Sequence, residues 1–260
     1  MSQTKKRVKA KASSLLEGFA GIPSKKYKEG LQIIVKPEAK TDEQQALIDS
    51  LDENTLTICD GPAGCGKTYI SCQYAAWMLE HRQVEHILLT RSATEAVDEK
   101  LGFLPGTAED KVEPYMIPML SYFEEIYGRE EVQTMRETGT IKILPLAHIR
   151  GITIKKTMVI LDEAQNTTDK QMRLLLTRIG EGTKIIVEGD LHQRDHNHGF
   201  SGLDDAALRL KKCNSVGIVQ LTNKSIMRSK FVQDIDNAYE ESTTLDSPVN
   251  KGLNQVLLNG

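Results

Sequence analysis

The sequence predicts an α/β fold, a mostly parallel sheet with helices on both faces. Three observations carry this. Short apolar runs alternate with helical patterns along most of the 260 residues, the signature of parallel strands joined by crossover helices. One run, Leu56–Cys59, leads through the glycine-rich stretch Gly61-Pro62-Ala63-Gly64-Cys65-Gly66-Lys67-Thr68 into a helical pattern. Another, Met158–Leu161, ends in paired carboxylates, Asp162 and Glu163. In open α/β sheets, ligands bind at such strand ends.

Taken in order, residues 1–36 mix small and basic residues with little periodicity, and read as a mobile arm with one short strand at Leu31–Val35. The α/β body is expected over 37–240. Its strands fall at Leu56–Cys59, His86–Thr90, Ile141–Leu144, Met158–Leu161, Lys184–Val187 and Ser215–Gln220, each a short apolar run. Its helices fall at Glu43–Asp52, Thr68–Glu80, Glu113–Tyr127, Asp169–Ile179 and Leu203–Leu210. Thr68–Glu80 lacks Gly and Pro and carries apolar residues at helical spacing. Residues 241–260 form a polar, patternless tail. No internal repeat is visible.

Composition bounds the setting. The apolar fraction is 39%. No apolar run is long enough to cross a bilayer, and the N-terminus lacks a signal-peptide core. Cys59, Cys65, Cys72 and Cys213 form no C-x-x-C pair, which suits reduced thiols in a cytoplasm. The net charge of −3 hides an asymmetry: residues 1–40 hold ten Lys and Arg against three Glu. A basic arm before an acidic body suits nucleic acid phosphates, or equally a solvated leader.

The glycine-rich stretch spells G-x-x-x-x-G-K-T, a P-loop. Its glycines let the loop Gly61, Pro62, Ala63, Gly64, Cys65 and Gly66 curl so that its available backbone N–H groups point at phosphate oxygens. Lys67 can reach the β- and γ-phosphates and the Thr68 hydroxyl can ligate Mg²⁺; Tyr69 is counted with the nucleotide contacts. Asp162 is placed to hold Mg²⁺, and Glu163 to activate or orient an attacking water. Ile185–Val187 leads through Glu188 and Gly189 to Asp190 and Gln193. A Gly-Asp-x-x-Gln turn there can sense the γ-phosphate and relay its loss. Thr41-x-x-Gln44 precedes the helix before the first strand, and the Gln44 amide could read an adenine edge. His192, His196 and His198 cluster with Asp190 and Asp195, but no dedicated metal site is expected from them.

Together these residues resemble the PhoH family, phosphate-starvation-inducible P-loop ATPases of bacteria and their viruses. Further stretches fit: Thr90-Arg91-Ser92-Ala93, Lys100–Gly106, Lys111–Tyr115, Pro145–Gly151, Leu161–Thr168, Leu176–Gly180 and Ser201-Gly202-Leu203. The resemblance runs from about Lys40 to Glu240. Cys65 stands where the family has a small hydroxyl residue, Ser92 replaces a proline, and Ser225–Ser229 keeps little but Arg228.

The resemblance implies a single RecA-like P-loop NTPase core using ATP and Mg²⁺, with Arg228 approaching the γ-phosphate as an arginine finger. It implies coupling to RNA or single-stranded nucleic acid, with Arg91 and Arg150 as candidate contacts. A lone core must recruit a neighbour to complete its site, which favours a homo-oligomer such as a hexamer. No membrane association and no intrinsic nuclease are expected. A nucleotide-switched binding module and a small-molecule P-loop kinase remain the other readings.

Overall fold

The structure, a computed structural model, describes residues 34–92, 108–191, 193, 201–226, 231–232 and 234–235, with 108–112 described as backbone. The chain divides into two units, Met1–Ser225 and Ile226–Gly260. The second is described only at Ile226 and a few helical residues, of which Phe231 and Ile235 are exposed. The architecture below belongs to the first.

Helix α1 (Asp42–Glu53) precedes strand β1 (Leu56–Asp60), and α2 (Lys67–Glu80) follows it. Strand β2 (His86–Arg91), helices α3 (Ala108–Tyr127) and α4 (Arg129–Glu137), and strand β3 (Ile141–Ile143) come next. Then follow β4 (Thr157–Asp162), α5 (Asp169–Leu176), β5 (Lys184–Gly189), α6 (Gly202–Leu210) and β6 (Val216–Gln220). The six strands form one sheet in the order β3-β2-β4-β5-β1-β6, and every pairing is parallel.

Chirality explains the layering. From β1 through β2 to β3 the chain steps one way across the sheet, and from β3 to β6 it steps back. Right-handed crossovers then place the earlier connections on one face and the later ones on the other. The core splits accordingly. Leu47, Ile70, Tyr74, Met119, Phe123 and Met135, from α1 to α4, share one buried cluster with Ile87, Ile160 and Ile186. Met172, Leu175, Leu203 and Ala206, from α5 and α6, share the other with Leu88, Val159 and Val187. Alternate residues of each strand feed opposite clusters, as the pleat requires.

Several expectations shift. Helix α4 was not expected: it buries only Val132 and Met135, and Gly128 rather than a hydroxyl residue precedes it. Helix α3 begins at Ala108, ahead of the expected Glu113, and runs through Pro114 and Pro118. Helix α5 ends at Leu176, short of the expected Ile179. Ile34 and Val35 are not in a strand, and the rest of the strand expected at Leu31–Val35 lies outside the described residues. Ile34 is buried against the α2 cluster, and Lys36 Nζ sits 5.2 Å from the Trp77 ring centroid and pairs with Asp52. The packed body therefore begins by Ile34, slightly before the expected boundary at residue 37. Among the described residues no helix is long and apolar enough to cross a membrane.

Candidate functional site: a P-loop beside two acidic strand ends

The glycine-rich loop joins β1 to α2 as expected. Gly66 precedes α2 at φ +88, a left-handed conformation that a glycine adopts without strain. A Cβ there would lie 3.0 Å from Gln44 Nε2. Gln44 is buried; its Nε2 donates to the Cys65 carbonyl at 3.0 Å, and its Oε1 accepts from Lys40 N–H at 2.8 Å. Its amide thus braces the loop from behind. Lys67 Nζ donates to the Gly61 carbonyl and, at 2.9 Å, to that of Pro62. Burial pushes the Cys65 thiol up, opposed by Lys67, so it serves as packing. Tyr69 is exposed and meets Tyr122 edge-on, ring centroids 5.8 Å apart.

Register assembles the acids. Arg91 at the end of β2 pairs with Asp162 of β4. Leu161 pairs with Val187 of β5, so Asp162 meets Glu188 one step on. Glu188 in turn pairs with Cys59 of β1. A row of Arg91, Asp162, Glu188 and Cys59 therefore crosses four strand ends on the face that carries α2. Burial pushes the Asp162 carboxyl up, and Glu163 adds to this against the pull of Arg91 and Lys67. Glu188 is fully buried, and burial together with Asp162 pushes its carboxyl up to about 8.

The Ser71 hydroxyl lies within hydrogen-bond distance of two acceptors, the Lys67 carbonyl at 2.9 Å and Glu188 Oε2 at 2.7 Å.

Glu163 sits beyond the strand at φ 53, a left-handed conformation unusual for a residue with a side chain. Holding it costs roughly 1–3 kcal/mol, a strain that clusters at functional sites. Two side chains hold its carboxylate: Arg91, at 3.1 Å, and Gln165 Nε2, at 2.5 Å. Arg91 also donates to the Tyr115 carbonyl at 3.0 Å. Gln165 reaches further. Its Nε2 contacts the Gln193 carbonyl at 3.2 Å, and its Oε1 accepts from Asp190 N–H at 3.1 Å. A Cβ on Gly189 would lie 2.5 Å from Gln165 Oε1, so only glycine lets the two turns meet. Sequence reading passed over Gln165 and Glu188. Both lay inside stretches already singled out, but their partners are set by register.

The structure does not bring every candidate here. Arg150 is exposed at the end of the turn Leu146–Ile149, whose Leu146 and Ile149 belong to the cluster on the opposite face from Arg91. Asp190 is buried and Gln193 exposed. Arg228, His192, His196 and His198 lie outside the described residues. Among the described residues, no three His, Cys, Asp or Glu side chains gather to hold a metal by themselves. A P-loop cation does not need them, because phosphate oxygens and water supply most of its shell. The Thr68 hydroxyl and the half-buried Asp162 carboxylate are hard oxygen donors fitted to Mg²⁺. A groove of about 760 Å³ lined by Leu56, Met172, Leu176, Ala206 and Val216 lies at the opposite ends of the strands.

The profile of the PhoH-like protein family matches residues 36–240. The chain belongs to the PhoH family. Relatives include a PhoH-like protein of Mycobacterium tuberculosis, 39% identical over 213 residues, covering 82% of this chain and 60% of the relative. A PhoH-like protein of Synechocystis is 40% identical over 214 residues, covering 82% and 65%. Protein PhoH of Escherichia coli is 40% identical over 204 residues, covering 77% and 57%. The chain thus spans about 60% of the length of these curated relatives. Among solved structures, the large terminase of a thermophilic bacteriophage in complex with ADP is 14% identical with a TM-score of 0.47, covering 74% of this chain and 48% of that one. Pif1 helicase from Candida albicans is 14% identical with a TM-score of 0.38, covering 77% and 44%. This PhoH-like core is a parallel P-loop fold of the RecA-like kind, with β5 standing between the P-loop strand and the Asp-Glu strand.

Proposed function

We propose that this PhoH-like chain is a Mg²⁺-dependent ATPase that couples hydrolysis to binding or remodelling of RNA or single-stranded nucleic acid within a homo-oligomer. The observation that carries this reading is the meeting of the Gly61–Thr68 loop with Asp162 and Glu163 at one end of the sheet, with Gln165 linking that pair to the Gly189-Asp190 turn. The loop N–H groups and Lys67 bind the triphosphate, Lys67 exchanging the Gly61 and Pro62 carbonyls for phosphate oxygens. Thr68 and Asp162 hold Mg²⁺, which neutralises phosphate charge when bound. Glu163 accepts the proton of the attacking water. Gln165 carries a change at Asp190 and Gln193 back to Glu163.

The ion pair between Arg91 and Glu163 gives the coupling a physical form. A nucleic acid phosphate competes for the Arg91 guanidinium, because guanidinium binds phosphate in paired hydrogen bonds. Drawing Arg91 away frees Glu163 for the water. Turnover is therefore slow alone and faster with nucleic acid. The same contact also favours the switch reading, in which hydrolysis stays slow and the bound nucleotide sets a conformation.

Arg228 is proposed as a finger that enters a neighbour's site, as in a ring such as a hexamer. Ser225, three residues earlier, is buried with its hydroxyl 2.9 Å from Thr41 Oγ1, at the start of the helix that braces the P-loop.

Steady-state ATP turnover with and without Mg²⁺, across RNA, single-stranded DNA and duplex, tests this reading. Mg²⁺-dependent turnover stimulated by single strands is expected. ATP binding with no turnover under any condition would favour the switch, and a phosphorylated metabolite would favour a kinase.

A further inference from the structure

Glu188 stands out in a strand that is otherwise apolar where it is buried. Ile185, Ile186 and Val187 precede it, and its own side chain is fully buried. An apolar side chain would suit that position by packing alone. A buried carboxyl is costly unless its oxygens are partnered. Oε2 meets the Ser71 hydroxyl, but Oε1 has no hydrogen-bond partner among the described residues. Ser71 does not need Glu188, since the Lys67 carbonyl already accepts from its hydroxyl.

The surroundings identify what the second oxygen is for. Glu188 adjoins Asp162 across the β4–β5 register. The carboxyl also feels Lys67 and the Thr68 hydroxyl. Two acids therefore lie beneath the first turn of α2, against the one hydroxyl of the loop suited to a cation. Buried like charges of this kind are tolerated where a cation offsets them.

We infer that Glu188 is a further oxygen donor of the divalent-cation site, its Oε1 facing the cation or a water bound to it, with Ser71 fixing the carboxylate in place. This rests on the reading of Thr68 and Asp162 as cation ligands. Mg²⁺ in nucleotide sites accepts one or two carboxylates along with phosphate and water, so a second acid completes the shell without crowding it.

Manganese binding separates this role from bracing. Free Mn²⁺ is measured by electron paramagnetic resonance as it binds the full-length protein with adenylyl imidodiphosphate. Metal-free binding of a fluorescent form of that analogue is measured in EDTA. Glu188→Gln keeps the shape and an acceptor for Ser71 while removing the charge. It should weaken Mn²⁺ binding about tenfold or more, at least the scale of losing a group that supports a metal's ligands. Metal-free nucleotide binding and the melting temperature in EDTA should not fall. Undiminished Mn²⁺ affinity in Glu188→Gln, with the wild type binding normally, overturns this inference alone. Equal loss of nucleotide binding in EDTA also overturns it, because that is the mark of a brace. No Mn²⁺ binding by the wild type overturns the cation-site reading and this inference with it. Should Glu188→Gln fail to fold, Ser71→Ala removes one hydroxyl and serves instead. It should weaken Mn²⁺ binding and spare metal-free nucleotide binding; unchanged Mn²⁺ affinity overturns the inference.

Discussion

Lys67 is the chief mobile cation of the loop, and it already bends back onto the carbonyls of Gly61 and Pro62. Lys67→Ala should abolish ATP turnover in a phosphate-release assay, and wild-type-like turnover would sink the ATPase reading. Glu163→Gln should keep ATP bound in equilibrium dialysis but slow hydrolysis by about 10²-fold or more, the usual worth of a positioned base. Arg91 makes the opposite prediction. Arg91→Ala removes the ion pair to Glu163, so basal turnover should rise several-fold while stimulation by single-stranded RNA shrinks. A fall in basal turnover would show that Arg91 supports Glu163 rather than restraining it. At this scale the sequence was legible where chemistry is local. Lys67, Thr68 and the Asp162-Glu163 pair follow from spacing along one strand and one loop. Arg91 and Glu188 do not, because their partners are chosen by strands that meet only when the sheet forms. Gln44 is a similar case: its residue type suits an adenine edge, yet its amide is engaged with Lys40 and Cys65.

Elements were read well where a short apolar run or a long helical period marked them in the sequence, which covers all six strands of the sheet. Helix α4 shows the limit. With two buried apolar positions it has little periodic signal, and an ion pair 2.8 Å long between Arg136 and Glu113 of α3 ties it in place. Helix α3 shows another. It was expected from Glu113, yet it begins at Ala108, and packing of Met116, Met119 and Phe123 carries it through both prolines. The β5 terminus makes a testable case. Gly189→Ala would drive a Cβ to 2.5 Å from Gln165 Oε1 and 3.0 Å from Gln165 N. The crowding should cost about 1–3 kcal/mol, read from the urea midpoint. Turnover should fall as well, because Gln165 can no longer hold Glu163 and Asp190 together. Unchanged stability and turnover would mean that the two turns are not coupled.

At the scale of the molecule, the proposed Arg228 finger predicts sites shared between neighbours. Arg228→Ala should bind ATP yet turn over poorly; fingers are worth about 10³–10⁵ in rate. Mixing inactive Arg228→Ala with inactive Lys67→Ala should restore activity if neighbours exchange fingers, and no rescue despite proven subunit mixing would exclude the arrangement. The basic arm is tested separately by deleting residues 1–33, which keeps the packed Ile34 and Lys36. RNA affinity should fall and its salt slope flatten, with basal turnover unchanged; equal affinity across a salt series would leave the arm a solvated leader. The all-parallel pairing has a last consequence, for the ribosome rather than for catalysis. The P-loop strand is made early, but both of its neighbours come late, since Leu56 pairs with Ile185 and Val216. Until β5 and β6 emerge, the loop hangs from a strand with nothing on either side. Such non-local closure is slow and leaves apolar edges open meanwhile. A nascent chain stalled before residue 180 should therefore be protease-sensitive and unresponsive to ATP, and nucleotide protection should appear in one step, once β6 has emerged.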